Sequence, residues 1–260
     1  MTEFYAAGKR FPLNRTYVMG ILNVTPDSFS DGGKYFDPEK AVRHAVEMEA
    51  QGDIGGQSTR PGSMRISPEE EWARIENVVK AVAEKTNLAI SIDTFYPEVA
   101  EKSLKAGAHI INDVTGFAPE MWRAVENTDC GCIVMHPGDP DDLNGAGGNI
   151  LERVRAFFEK KTTEAEQHGV NKNRLCFDPG IGFGKTNEEN FALIANPEKI
   201  RVPGTALLMA VSRKRAIGAA ATRRLKTAWR ARWRHIQHRC CSAQTWCART
   251  IRLKRCRRRA

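Results

Sequence analysis

From Lys199 to its last residue this 260-residue chain contains no aspartate and no glutamate. Residues 222–260 hold fourteen lysines and arginines, so residues 1–221 carry twenty-six bases against thirty-one acids, a net −5 beneath the overall +9. The total charge therefore does not describe the body of the molecule, and by itself it marks no nucleic-acid-binding domain. Long apolar runs are also missing: no stretch approaches the ~18 residues that would cross a bilayer. Residues Met1–Arg10 lack the apolar centre of a secretory signal. The seven cysteines follow no disulfide-framework spacing, which suits a reducing compartment, and the expectation is a soluble cytoplasmic protein. His235, His238, Cys240 and Cys241 match no common zinc spacing.

What is present reads as a single large domain followed by something else. Hydrophobic residues make up 41% of the chain, enough to bury a sizeable core. Residues 35–200 alternate short apolar runs with amphipathic segments, the pattern of a parallel sheet covered by helices. A first helix opens at Asp37-Pro38 and ends near Gly52; a second opens at Ser67-Pro-Glu-Glu70, with Trp72, Ile75, Val78, Val79 and Val82 on its core face. Further helices are predicted over 97–106, 119–127, 150–168 and 188–200.

The predicted strands share one property: each runs out in a polar residue. Val18–Val24 carries Asn23 near its end, Ala89–Ile92 is followed by Asp93, and His109–Ile111 by Asn112-Asp113. Cys132–Met135 is followed by His136, Leu175–Phe177 by Asp178, and Ala206–Val211 by Ser212-Arg-Lys214; another strand is expected before Gly55-Gly56. Strand-helix repeats averaging ~30 residues with polar strand ends predict a (β/α)8 barrel whose site lies at the C-terminal ends of its strands. After Lys214 the pattern stops. No run of four apolar residues occurs in 222–260, so the barrel is expected to be incomplete at its eighth strand. The predicted domains are 1–221, the barrel, and 222–260, a basic tail that is disordered or irregularly helical.

In such a barrel Asp93, Asn112, Asp178 and Lys214 converge: two carboxylates, an amide and a cation, a set able to hold a flat heterocycle by its edge. Each of them taken singly also suits a capping or loop-anchoring role. Asp178-Pro-Gly-Ile-Gly-Phe-Gly-Lys185 is glycine-rich but meets neither phosphate-loop spacing fully; its glycines would let backbone lie against a flat ligand, with Phe183 as a packing face. Ser58-Thr-Arg-Pro-Gly62 offers a hydroxyl, a guanidinium and a rigid turn, suited to gripping an anion or to an ordinary surface turn. His136 is read as ring support or packing, and Cys130, Cys132 and Cys176 as small buried hydrophobes.

Leu22-Asn-Val-Thr-Pro-Asp-Ser-Phe-Ser-Asp-Gly-Gly33, Asp53-Ile-Gly-Gly-Gln-Ser-Thr-Arg-Pro-Gly62, Ser91-Ile-Asp-Thr94, Ile111-Asn-Asp-Val114, Met135-His136, Asp178–Lys185 and Ser212-Arg-Lys214 follow one another in this order. Together they resemble the dihydropteroate synthases over about residues 10–218. The resemblance implies that p-aminobenzoate attacks the methylene carbon of 6-hydroxymethyl-7,8-dihydropterin diphosphate and displaces pyrophosphate. It implies that Asp93, Asn112, Asp178 and Lys214 hold the pterin, with Met135 and Phe183 on its faces and Asn23 helping to hold Mg²⁺. Phe29, Asp31, Thr59, Arg60 and Pro61 would belong to two closing loops that shape the p-aminobenzoate pocket, with Ser212 beside it. Lys214, Asp31 and Arg60 would carry the catalytic roles. A homodimer is implied as well.

Two departures stand out. The run before the second motif, Gln51-Gly52-Asp53-Ile54, is shorter than the family's by about four residues, most of a typical strand, so the second strand is expected to be absent or drawn from the end of the first helix. Gln57 stands where the family commonly has Glu. The family's Arg-Val-His at the eighth strand has no counterpart after Lys214. The tail resembles translation in a shifted reading frame, with a native basic extension as the alternative. The chain is accordingly expected to be unstable or weakly active. Other readings are a methyltetrahydrofolate-type pterin-binding methyltransferase and nucleic-acid binding through the tail.

Overall fold

The computed structural model describes residues 3–24, 51–55, 65–138, 148–211 and 245–249. Two short antiparallel strands come first, β1 (Glu3–Ala6) and β2 (Lys9–Pro12). They are joined by Ala7-Gly8, both at positive φ, as a two-residue hairpin turn requires. Eight parallel strands follow: β3 (Tyr17–Asn23), β4 (Gln51–Gly55), β5 (Ile90–Asp93), β6 (Ile110–Asp113), β7 (Gly131–Met135), β8 (Leu175–Asp178), β9 (Ala206–Met209) and β10 (Thr245–Arg249). They close into a barrel in the order β10-β3-β4-β5-β6-β7-β8-β9. The helices are α1 (Pro68–Lys85), α2 (Pro97–Lys105), α3 (Pro119–Val125), α4 (Ile150–Gln167), α5 (Asn187–Ala195) and α6 (Pro197–Ile200).

Local signals explain the boundaries. Ser67 caps α1 by accepting the Glu70 amide at 3.2 Å, with Pro68 at the first helical position. Asn149 caps α4 by accepting the Leu151 amide at 3.0 Å. The helix predicted over 188–200 is two, because Asn196 leaves helical geometry ahead of Pro197.

Alternation along the strands divides the core into two layers. Ile90, Ile92, Ile111, Cys132, Val134, Leu175, Phe177, Leu207 and Met209 pack outward, with Ile75, Val78, Val79 and Val82 of α1 and Phe158 of α4 among their neighbours. Met19, Ala89, Ile110, Ile133, Cys176, Ala206 and Leu208 pack inward at the base, where Phe4, Ala6, Phe11 and Leu13 of the hairpin segment plug the barrel. The plug is tied down by the Ala7 amide to the Asp129 carbonyl at 2.8 Å and by the Tyr5 hydroxyl to Asp129 at 2.8 Å. Gly131 leaves room for it, since a Cβ there would lie 2.6 Å from Phe4.

One expectation is corrected. The barrel is not incomplete at its eighth strand: Thr245–Arg249 pairs with Leu207–Met209 on one side and Tyr17–Gly20 on the other. The reason is that β3 and β9 each present an unpaired row of backbone groups, and any extended segment can satisfy both; an apolar run is not required. Thr and Trp also favour the extended form. The second strand is present and, as one of the two expectations had it, drawn from residues placed at the end of the first helix: Gln51–Gly55 pairs with β3 and β5. The segments 37–50, 222–244 and 250–260 lie outside the described residues.

Candidate active site

Period-two alternation decides which strand-end residues reach the barrel axis. Ala89, Ile110, Ile133 and Cys176 face inward at the base, so residues an even number further along the same strands face inward at the opposite rim. Those residues are Asp93, Asn112, Met135 and Asp178. Asn112 is 8% exposed and Asp178 4%, Met135 is buried, and Asp93 is half-buried. Asp93 lies opposite Asn112 in the β5–β6 ladder and Met135 opposite Asp178 in β7–β8, across strands ~4.8 Å apart. The structure thus brings four of the expected site residues together along one arc.

Asp113, next to Asn112, has the other parity and a different task. Its carboxylate accepts the Thr115 amide and hydroxyl, both at 2.7 Å, and the Phe117 amide at 2.9 Å. Burial pushes its pKa up, and these bonds pull against that. Of the Asn-Asp pair, one residue serves the rim and one anchors the loop behind it.

The glycine-rich segment after β8 is folded against the end of β7. The Asp178 carbonyl accepts the His136 amide at 2.8 Å, and its carboxylate accepts the Gly180 amide at 2.8 Å. Gly180 has φ +66°, and a Cβ there would meet the His136 carbonyl oxygen at 2.1 Å, so the glycine serves backbone-to-backbone approach. Lys185 is the residue that sequence reasoning missed. Its Nζ donates to the carbonyls of His136 at 3.1 Å, Gly180 at 3.2 Å and Phe183 at 3.0 Å, pinning the segment that carries half-buried Phe183. Thr186 caps α5 in a reciprocal pair with Glu189. These two residues therefore have structural roles; the available signal was the Thr-x-x-Glu capping box immediately after the lysine. His136 accepts the Gly138 amide at 3.2 Å and sets its ring edge-on to Phe157 at 4.9 Å, as ring support.

Asn23 ends β3 opposite Gly55 at the same rim. Phe29, Asp31, Thr59, Arg60, Pro61, Ser212 and Lys214 lie outside the described residues. Among the described residues no cluster of three or more His, Cys, Asp or Glu could hold a metal. Cys130, Cys132 and Cys176 are buried free thiols, as expected. No helix of the described residues is long and apolar enough to cross a membrane.

A closed parallel barrel with carboxylates and an amide facing inward at the C-terminal rim defines an α/β-barrel enzyme that takes a small polar ligand at that face. The family described as pterin binding enzyme matches residues 19–252. A dihydropteroate synthase of Clostridium beijerinckii is 42% identical over 212 residues, covering 79% of this chain and 77% of the relative. The Xanthomonas albilineans dihydropteroate synthase solved with 4-aminobenzoic acid superimposes with TM-score 0.82 at 35% identity, covering 95% of this chain and 92% of that one. The same enzyme solved with 7,8-dihydropteroate gives 0.79 at 32% identity, covering 95% and 92%. The chain belongs to the pterin binding enzymes and, among them, to the dihydropteroate synthases.

Proposed function

We propose that this protein condenses 6-hydroxymethyl-7,8-dihydropterin diphosphate with p-aminobenzoate, releasing pyrophosphate and forming 7,8-dihydropteroate. The observation that carries the reading is the arc of Asp93, Asn112, Met135 and Asp178 at one rim, in a chain whose relatives bear that activity in their names. The carboxylates of Asp93 and Asp178 suit the amino and imino N–H groups on the pterin edge, and the Asn112 amide can both donate and accept there. Met135 and Phe183 supply apolar contact to the ring faces. By the family resemblance, Lys214 would serve ring acceptors, and Thr59, Arg60, Pro61, Asp31 and Ser212 would serve the incoming amine and the anion.

The chemistry asks for departure more than for a base. As pyrophosphate leaves, positive charge grows at the methylene and spreads into the pterin, and two fixed carboxylates at the ring edge stabilise it. A neutral arylamine needs no deprotonation before it attacks, which suits a rim with no acid–base dyad among the described residues. Loop closure would exclude the water that competes with the amine. Asn23, a neutral oxygen donor opposite a residue without a side chain, fits Mg²⁺, which takes one or two protein ligands and completes its shell with phosphate oxygens and water. Bound there, the ion would neutralise charge on the diphosphate.

We also propose that turnover is lower than in a relative with a full rim, because no Arg-Val-His stands anywhere in residues 215–260 to help hold the diphosphate. Buried reduced thiols support a cytoplasmic setting. The test is formation of 7,8-dihydropteroate and pyrophosphate from the two substrates with magnesium. Product at a measurable rate, dependent on both substrates, supports the reading; methyl transfer from methyltetrahydrofolate in its place would overturn it.

A further inference from the structure

Phe117 stands in a backbone conformation that a bulky side chain rarely adopts. Its φ is +58°, in the left-handed region, and the residue is fully buried. Such a conformation costs backbone energy and persists only where the surroundings impose it. Here both flanking peptide groups are held. The Phe117 amide donates to the Asp113 carboxylate at 2.9 Å, and its carbonyl accepts from Lys161 Nζ at 2.9 Å. Its ring lies 4.5 Å from that of Trp122. Phe117 is thus pinned from the end of β6 on one side and from α4 on the other.

The loop so held, residues 113–117, joins the rim at two places. Asp113 directly follows Asn112, so the carboxylate that fixes Phe117 is one residue from the rim amide. Gly116, at φ +96°, packs closely on the end of β7: a Cβ there would meet the Met135 carbonyl oxygen at 3.3 Å, Pro137 at 3.4 Å and the Phe157 ring at 3.1 Å. α4 closes the bracket. Its Phe157 lies edge-on to His136 at 4.9 Å. Its Lys161, one turn further on and 13% exposed, holds its ammonium 5.7 Å from the Phe157 ring centre while bonding Phe117. Two residues of one helix therefore reach the segments that follow Asn112 and Met135.

We propose that Lys161 is a positioning residue for the pterin-binding rim: its bond to the Phe117 carbonyl holds the strained loop that sets Asn112 and Met135 in place. This rests on the pterin reading of that rim. A cationic donor bonds a carbonyl more strongly than a neutral one, and more strongly still where water is largely excluded. Lys161 also pairs with Glu164 at 2.7 Å, whose carboxylate accepts the Trp122 indole at 3.3 Å. That pair ties α3 to α4, whereas the bond to Phe117 is the one that reaches the rim loop. Without it the buried carbonyl loses a charged donor and Phe117 relaxes toward negative φ, carrying residues 113–116 with it.

Calorimetric binding of 6-hydroxymethylpterin to the full chain, as wild type, Lys161→Met, Lys161→Arg and Glu164→Gln, tests this, with Tm read for each. Methionine keeps much of the stem and deletes the donor; at a temperature well below Tm it should raise Kd about fivefold or more. Arginine keeps a cationic donor and should recover binding to within about twofold of wild type. Glu164→Gln removes the ion pair, retains an acceptor for Trp122 and leaves the Phe117 bond in place; it should bind within about twofold of wild type whatever it does to Tm. A Lys161 that merely stabilises the fold would lower Tm in Lys161→Met and leave Kd unchanged, and that result overturns the inference while leaving the functional reading intact. Equal weakening in Lys161→Arg or in Glu164→Gln overturns it as well. Pterin binding without dihydropteroate formation overturns the functional reading alone, and absence of pterin binding by the wild type overturns both.

Discussion

The two ends of the same strands were built from opposite chemistry. At the base, Ala89, Ile110, Ile133 and Cys176 meet Phe4, Ala6, Phe11 and Leu13 in a wholly apolar plug. Two or four residues further along, the same inward positions hold Asp93, Asn112, Met135 and Asp178. A parallel barrel imposes one inward direction on both sets, so the contrast is a division of labour: apolar burial closes the base, and polar groups that would be costly inside a closed core face an open rim. Stability should therefore respond to one end and ligand binding to the other.

Phe4→Ala gives the largest expected effect. A fully buried ring is lost from the base, which should cost about 4 kcal/mol in chemical denaturation and leave the pterin KM unchanged; a raised KM would break the division. Glu71→Gln comes next because it removes a buried titratable carboxyl from the rim end of α1. With the folded pKa raised from 4.5 to about 7, wild-type stability is fully present below 4.5 and declines as pH rises through 7. The variant has no such decline, so it should be more stable by about 3 kcal/mol at pH 8 and equal at pH 4, read from urea unfolding. Asp178→Asn should lower kcat/KM about a hundredfold while shifting Tm by no more than about 2 °C, the reverse of Phe4→Ala. Arg123→Ala is the control away from both ends. Its pair with Glu120 is 59% and 60% exposed, and it should change stability by less than about 1 kcal/mol.

Much of this was legible because local rules operate at these positions. Strand ends at Asp93, Asn112 and Asp178 follow from apolar runs meeting polar residues, and the cap at Ser67 follows from its Ser-Pro-Glu-Glu context. Parity then separates Asn112 from Asp113, a distinction available from alternation alone once one inward residue is known. Other features were not legible. The hairpin plug depends on Gly131 leaving space for Phe4, a contact between segments remote in sequence. The role of Lys185 shows only once three carbonyls are seen to converge on it. Glu71 sits among solvated acids in the string, and only the packing of α1 on the barrel separates it from Glu69 and Glu70.

The sequence by itself determined the repeating strand-helix order, the polar residues at the strand ends and the family to which they belong. These rest on periodicity, caps and turns, which act over a few residues. Only the tertiary structure decided that Gln51–Gly55 is a strand despite its shortness, that Thr245–Arg249 closes the ring, and that one glutamate of α1 is buried beneath the rim. Each of those depends on partners far away in the chain: two unpaired strand edges that any extended segment can satisfy, and a helix face whose burial is set by what it packs against.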